Sequence, residues 1–174
     1  GAFALCEHAG TKLSTKVYGA TTIGPYCKIG GEVNNSILFG YSNKGHDGFL
    51  GNAVIGEWCN LGADTNNSNL KNNYGEVKAY SYAVKEEVNT GLQFCGLMMG
   101  DHSKSSINTM FNTGTVCGVS ANIFSSGFPP KHINSFSWGD KRFDFDKALE
   151  VARRMMERRE KVLTKEAVSV LQHL

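Results

Sequence analysis

His46 stands in the polar, glycine-rich run Ser42-Asn43-Lys44-Gly45-His46-Asp47-Gly48-Phe49-Leu50-Gly51-Asn52. Histidine titrates near neutrality and is the commonest general base. Acyl transfer from a thioester to an amine needs such a base, because the ammonium form of the nucleophile has no lone pair. Beside a glycine, a lone histidine can equally be a turn residue. His102, in Gly100-Asp101-His102-Ser103, is the second candidate. It reads either as a proton carrier near a thioester or as a polar corner residue bonded to backbone. His8, His132 and His173 read as exposed. A zinc centre would need three converging imidazoles, and no His-x4-His pair occurs, so no metal is expected.

The element that must position these groups is a repeat. Val17, Ile23 and Ile29 are six apart, and Gly24 and Gly30 directly follow the two isoleucines. The unit returns as Ile55-Gly56-Glu57-Trp58-Cys59-Asn60 and Leu61-Gly62-Ala63-Asp64-Thr65-Asn66. Its fifth residue is small or β-branched: Thr21, Cys27, Val33, Cys59, Thr65. Positions six apart fall on different faces of an α-helix, so this is no helical stripe. A hexad makes one flat face of a triangular coil, and three make a rung of about eighteen residues. The aliphatic and the fifth residue point inward, and the residue after the aliphatic sits at a corner. The expected fold is therefore all-β, a single-stranded parallel β-helix of hexapeptide repeats spanning 1–143.

The register breaks twice. From Ile29 to Ile55 is 26 residues, two more than four hexads, which predicts a bulge or small insertion within 31–54. The segment 67–93, with Tyr74, Tyr80 and Tyr82, reads as a loop-and-strand excursion. Repeats resume weakly at Met99-Gly100 and end near Phe128-Pro129-Pro130. From Asp146 onward, Ala148, Leu149, Ala152, Met155 and Met156 form a helical stripe. A second short helix is expected over 165–174 with Thr164 as its cap. Residues 144–174 thus form a helical tail, packing on the coil or on a neighbouring subunit.

Composition narrows the partners. Eighteen basic and sixteen acidic residues give a net charge of +2, so neither nucleic acid nor a membrane surface has an attractor. The basic excess is local, from Lys141 to Lys161, and reads as a solvated helix face. Five cysteines, none in a CxxC pair, fit reduced buried thiols and a cytoplasmic setting. The start Gly1-Ala2-Phe3 lacks an initiator Met, which suggests a piece of a longer chain.

The run 42–69, SNKGHDGFLGNAVIGEWCNLGADTNNSN, resembles the acetyltransferase domain of the bifunctional N-acetylglucosamine-1-phosphate uridyltransferase/glucosamine-1-phosphate acetyltransferase family. That family carries a Gly-His, a Leu/Ile-Gly-Asp, an Ile-Gly and an Asn-Ile-Gly-Ala-Gly-Thr run at the same spacings. The stretch Glu32-Val33-Asn34-Asn35-Ser36 is similar to its Glu-Val-Lys-Asn-Ser. The whole chain looks closest to a branch of the family found in Bacteroidetes-type bacteria. The resemblance implies a left-handed coil, a homotrimer, acetyl-CoA as co-substrate and an upstream nucleotidyltransferase domain. It implies that His46 is the catalytic base and that Asn60 and Asn69 line the sugar site. Ala63, Asp101 and Gly118 fall at acetyl-CoA contacts.

The departures from the family pattern bear on the acceptor. Phe49 replaces a sugar-binding tyrosine, Asn34 replaces a lysine, and Tyr18 stands for a phosphate-binding arginine, with Lys16 nearby. Lys44 is the cation expected to substitute for these at the substrate, and Lys131, Lys141 or Arg142 could meet the CoA phosphates. The reading that follows is N-acetylation of an amino sugar phosphate such as glucosamine 1-phosphate, in UDP-N-acetylglucosamine synthesis. The alternative is a non-catalytic trimerisation and regulatory β-helix of a sugar-phosphate nucleotidyltransferase.

Overall fold

The computed structural model describes residues Gly1–Leu174. Short strands, joined by tight corners, stack in parallel register into the three faces of a coil. Face 1 carries seven strands, from Phe3–Leu5 to His132–Ile133. Face 2 runs from Gly10–Thr11 through Asn43–Lys44 and Asn60–Leu61 to Ser137–Trp138, and closes with the antiparallel Lys141–Arg142. Face 3 holds Lys16–Tyr18, Glu32–Asn34 and Phe49–Gly51, then Asn66–Asn67 and Met110–Phe111. No helix is long and apolar enough to cross a membrane.

The hexad accounts for the interior. Ile23, Ile29, Ile55 and Leu61 fill the axis together with the fifth-position residues Thr21, Cys27, Val33, Cys59 and Thr65, all at most 2% exposed. Glycine after the aliphatic residue allows the next coil to close on it. A Cβ at Gly30 would lie 2.6 Å from the Gly45 carbonyl oxygen. The repeat also extends beyond the readable hexads, to Phe3–Leu5 at one end and Ser137–Trp138 at the other.

The break between 31 and 54 is a shortening, where extra residues were expected. Thr22 pairs with Ile37, fifteen residues on, and Ile37 with Val54, seventeen on, while Phe3 to Thr21 spans eighteen. Two of the three residues missing from the Thr22–Ile37 coil come from one corner, and the third from the turn between faces 3 and 1. Between Ile29 and Glu32 only Gly30 and Gly31 turn the chain from face 2 to face 3, where the next coil uses residues 45–48. A two-residue corner under a four-residue corner leaves a step, and His46 stands on it.

The second break is an excursion. Val54 pairs with Met98, forty-four residues on, because a hairpin of Lys78–Ser81 and Glu86–Asn89 leaves the coil. It folds back: the Tyr80 and His132 rings stack at 3.5 Å, and Lys131 Nζ donates to the Lys78 carbonyl at 2.6 Å. Where face 3 crosses the neck of this excursion, side chains replace the backbone ladder. Phe49 N donates to Asn66 Oδ1 and Gly51 N to Asn67 Oδ1, each at 2.8 Å.

Helix α1 (Phe145–Glu157) starts at Asp144, whose side chain accepts from Lys147 N at 3.0 Å. Helix α2 (Lys165–Gln172) is capped by Thr164, accepting from Ala167 N at 3.2 Å. Their apolar faces pack on the chain's own last coil, where Ala148, Leu149 and Leu171 meet Phe136 and Phe143.

Candidate active site at the His46 corner

His46 lies in the corner between faces 2 and 3, with its side chain exposed. The other four-residue corners here put a positive φ on their third residue, Ser14, Asp64 or Asn108. In the His46 corner it moves to the fourth, Gly48, at +110°. Only glycine adopts that backbone without strain, and the space is closed too, since a Cβ at Gly48 would collide with the Thr65 carbonyl oxygen. The sequence therefore dictates a corner of distinct shape at the one step in the coil.

Lys44 fixes that corner from inside. It occupies the aliphatic row of face 2, between Ile29 and, one coil on, Leu61, and it is 1% exposed. Its Nζ donates to the carbonyls of His46 at 2.7 Å, Asp47 at 3.0 Å and Gly30 at 3.4 Å. The expected contact with substrate is thus replaced by a structural one: the ammonium faces the core because the recessed corner offers it three carbonyls. Burial drives its pKa down to about 8, against a partial upward pull from Asp47 and Asp64.

A pH dependence of stability follows from that shift. Between about 8 and the 10.5 of a free lysine the unfolded chain holds a proton that the folded chain has released. Stability from this group therefore rises with pH across that window. In Lys44→Met the rise should vanish. Melting temperatures of both proteins from pH 7.5 to 10.5 measure it, and parallel curves would contradict it.

The remaining expected site residues divide between two faces. Residues 16, 32 and 49 share one row of face 3 and residues 18, 34 and 51 the next. Asn34 Oδ1 lies over Gly19, and the Phe49 ring covers Gly51 beside the Asn69 amide. Asn69 Nδ2 donates to Asn52 Oδ1 at 2.7 Å. Along face 3, which begins at the His46 corner, lie Phe49 and Glu32, then Asn34, with Asn52 and Asn69 at its far end; Glu32 and Asn52 were missed by the motif reading. Glu32 accepts a hydrogen bond from the Tyr18 hydroxyl, so the tyrosine in the arginine position is tied to a carboxylate. Lys16 is the cation of that surface. Asn60 pairs with Asn43 on face 2, round the corner from this group.

The expected acetyl-CoA contacts also divide. Ala63 occupies the His46 corner one coil further on, in the register that pairs Asn43 with Asn60. Asp101 and Gly118 lie at the opposite corner, between faces 1 and 2, and Asp101 Oδ1 accepts from Glu57 N at 2.8 Å. Lys131 is engaged with the hairpin, pairing with Glu87 at 3.6 Å. Lys141 and Arg142 lie five strands along face 2 from His46, about 24 Å at a 4.8 Å strand spacing.

His102 also belongs to the corner between faces 1 and 2. It is 8% exposed, its Nδ1 lacks a partner, and burial followed by the Lys104 charge lowers its pKa to about 4. A neutral, enclosed imidazole on the far corner is poorly placed to share a proton with His46. His102 instead ends a ladder of aromatic rings. His8, Tyr26, Tyr41, Trp58 and His102 stack along this edge at centroid distances of 4.1 to 6.3 Å, each with φ near +60°. Tyr26, Tyr41 and Trp58 are spaced fifteen and seventeen residues apart, the local coil lengths, and that spacing was the available signal. No group of three or more His, Cys, Asp or Glu side chains is arranged to hold a metal ion.

No known protein-family signature matches the chain, and no curated protein does. Twelve chains of solved structures match. One is a point mutant of AntD, an N-acyltransferase from Bacillus cereus, in complex with dTDP and coenzyme A. It is 14% identical over 86% of this chain and 90% of that one, with a TM-score of 0.38. A likeness of that depth carries no argument about chemistry.

Proposed function

We propose that the chain is an acetyl-CoA-dependent N-acetyltransferase whose acceptor is an amino sugar phosphate of the glucosamine 1-phosphate kind. The observation that carries this reading is the His46 corner: an exposed imidazole on a step in the coil, its backbone clamped from the core by Lys44. His46 takes the proton as the acceptor's amine attacks the thioester carbonyl, and backbone N–H groups of the coil stabilise the oxyanion. Glu32, Asn34 and Asn69 offer acceptors and donors to sugar hydroxyls, and Phe49 offers an apolar floor. Lys16 supplies the phosphate contact in place of Lys44.

The division of the other residues supports a shared site in a homotrimer. Asp101 and Gly118 lie on the corner opposite His46, so a thioester that touches both sets needs two subunits side by side. The test is direct. Acetyl-CoA is titrated calorimetrically into the purified protein, then free CoA is measured on adding glucosamine 1-phosphate. Binding and acceptor-dependent CoA release are expected. Absence of binding would favour the alternative, a non-catalytic trimerisation module, to which the buried Lys44 and the substituted Asn34 and Phe49 also point.

A further inference from the structure

A cleft of about 430 Å³ lies between face 2 and helix α1, away from the His46 corner. Its coil wall is Tyr41, Trp58, Asn43, Asn60 and Lys104, and its helix wall includes Val151, Met155, Arg158 and Arg159. No carboxylate lines it. Of the lining cations, Arg154 pairs with Glu150, whereas Lys104, Arg158 and Arg159 pair with no acidic side chain. Helix α1 ends at Glu157, so its terminal carbonyls offset part of the two arginine charges. They do nothing for Lys104, half-buried on the coil, whose ammonium meets only the His102 carbonyl, at 2.7 Å. Three such cations around one acid-free cleft repel one another until an anion enters.

Two more features narrow the ligand. Asn43 lines the cleft, and its buried Oδ1 has no hydrogen-bond partner. An unpaired buried acceptor calls for a donor, and a fully ionised phosphate has none to give it. A hydroxyl or amino group on the same ligand does. Besides Asn60, the rest of the wall is apolar, with the edges of the stacked Trp58 and Tyr41 rings on one side and Met155 and Val151 on the other, which suits a heterocyclic ring.

We infer that this cleft binds a nucleoside diphosphate: phosphates on Lys104, Arg158 and Arg159, a ribose or base donor on Asn43, and the base between the Trp58 edge and Met155. The site lies on face 2, away from the His46 corner, and its binding does not depend on His46. Trp58 is one of two tryptophans in the chain, so a Trp138→Phe background makes its fluorescence the reporter. ADP, UDP and inorganic pyrophosphate are titrated in turn. Saturable change is expected with a nucleoside diphosphate, at least tenfold tighter than with pyrophosphate, and whichever of ADP or UDP binds tighter identifies the base. Affinity should fall at least tenfold in Arg158→Ala/Arg159→Ala and persist in His46→Ala. Both arginines lie at the helix end outside the core, and circular dichroism checks that the double variant is folded. No saturable signal, equal affinity for pyrophosphate, or undiminished binding by the folded double variant would each overturn the inference.

Discussion

Replacing His46 by alanine is expected to slow acetyl transfer about 10²- to 10⁴-fold, the usual contribution of a positioned general base. The melting temperature should scarcely move. The imidazole is exposed, and what holds the corner is the backbone: Lys44 Nζ grips the carbonyls of residues 46 and 47 whatever the side chain at 46. Exposed substitutions of this kind usually stay within about 0.5 kcal/mol in stability. Loss of rate without loss of fold separates a chemical role from a structural one. Turnover is followed as CoA release with glucosamine 1-phosphate at saturating acetyl-CoA, beside a thermal melt. Wild-type turnover in the variant would remove His46 from the chemistry. His102 is a poor substitute, being enclosed, neutral and on the opposite corner.

Much of the scaffold was legible because the hexad has a simple physical cause. A narrow prism accepts one aliphatic and one small side chain per face, so Ile23, Cys27 and Ile29 announce their own burial. The helical tail was legible for the same reason, through the Ala148, Leu149 and Ala152 stripe and the Thr164 cap. Counting residues could not show where the register failed. The 26 residues from Ile29 to Ile55 exceed four hexads by two, yet they also fall short of the next equivalent positions, and only the pairing of Thr22 with Ile37 decides between the two. Lys44, expected at the substrate in place of the missing cations, is instead buried, which is rare for a lysine. The exception arises from three carbonyls exposed by the short Gly30-Gly31 corner, which no local pattern displays. The aromatic ladder escaped because its period is the coil rather than the hexad.

The position of the site residues was only half legible for a related reason. Motif spacing orders residues along the chain, but faces are assigned by where corners fall. Asn69 meets Asn52 at the end of face 3 although 17 positions separate them in the sequence. Asn60, closer to His46 in sequence than Asn69, turns away to face 2. A solenoid surface is read across coils, so neighbours along the sequence are poor guides to neighbours in the site.

Gly48→Ala should be the most damaging small substitution near the site. At φ +110° a Cβ is strained in itself, and here it would also meet the Thr65 carbonyl of the next coil. Backbone strain of this kind costs about 1–3 kcal/mol, and the collision can be relieved only by moving one coil against another. A loss of about 3 kcal/mol would lower the melting temperature by about 6–12 °C for a chain of this size. The corner has another way out, which is to adopt the shape of its neighbours, with the left-handed residue at Asp47, as at Asp64 one coil on. That route spares stability but pulls the carbonyls of 46 and 47 off Lys44 and turns the His46 side chain. Either response reduces turnover, and the two are told apart by the melt. A variant with both wild-type melting and wild-type CoA release would show that the distinct shape of this corner matters neither to the coil nor to the reaction.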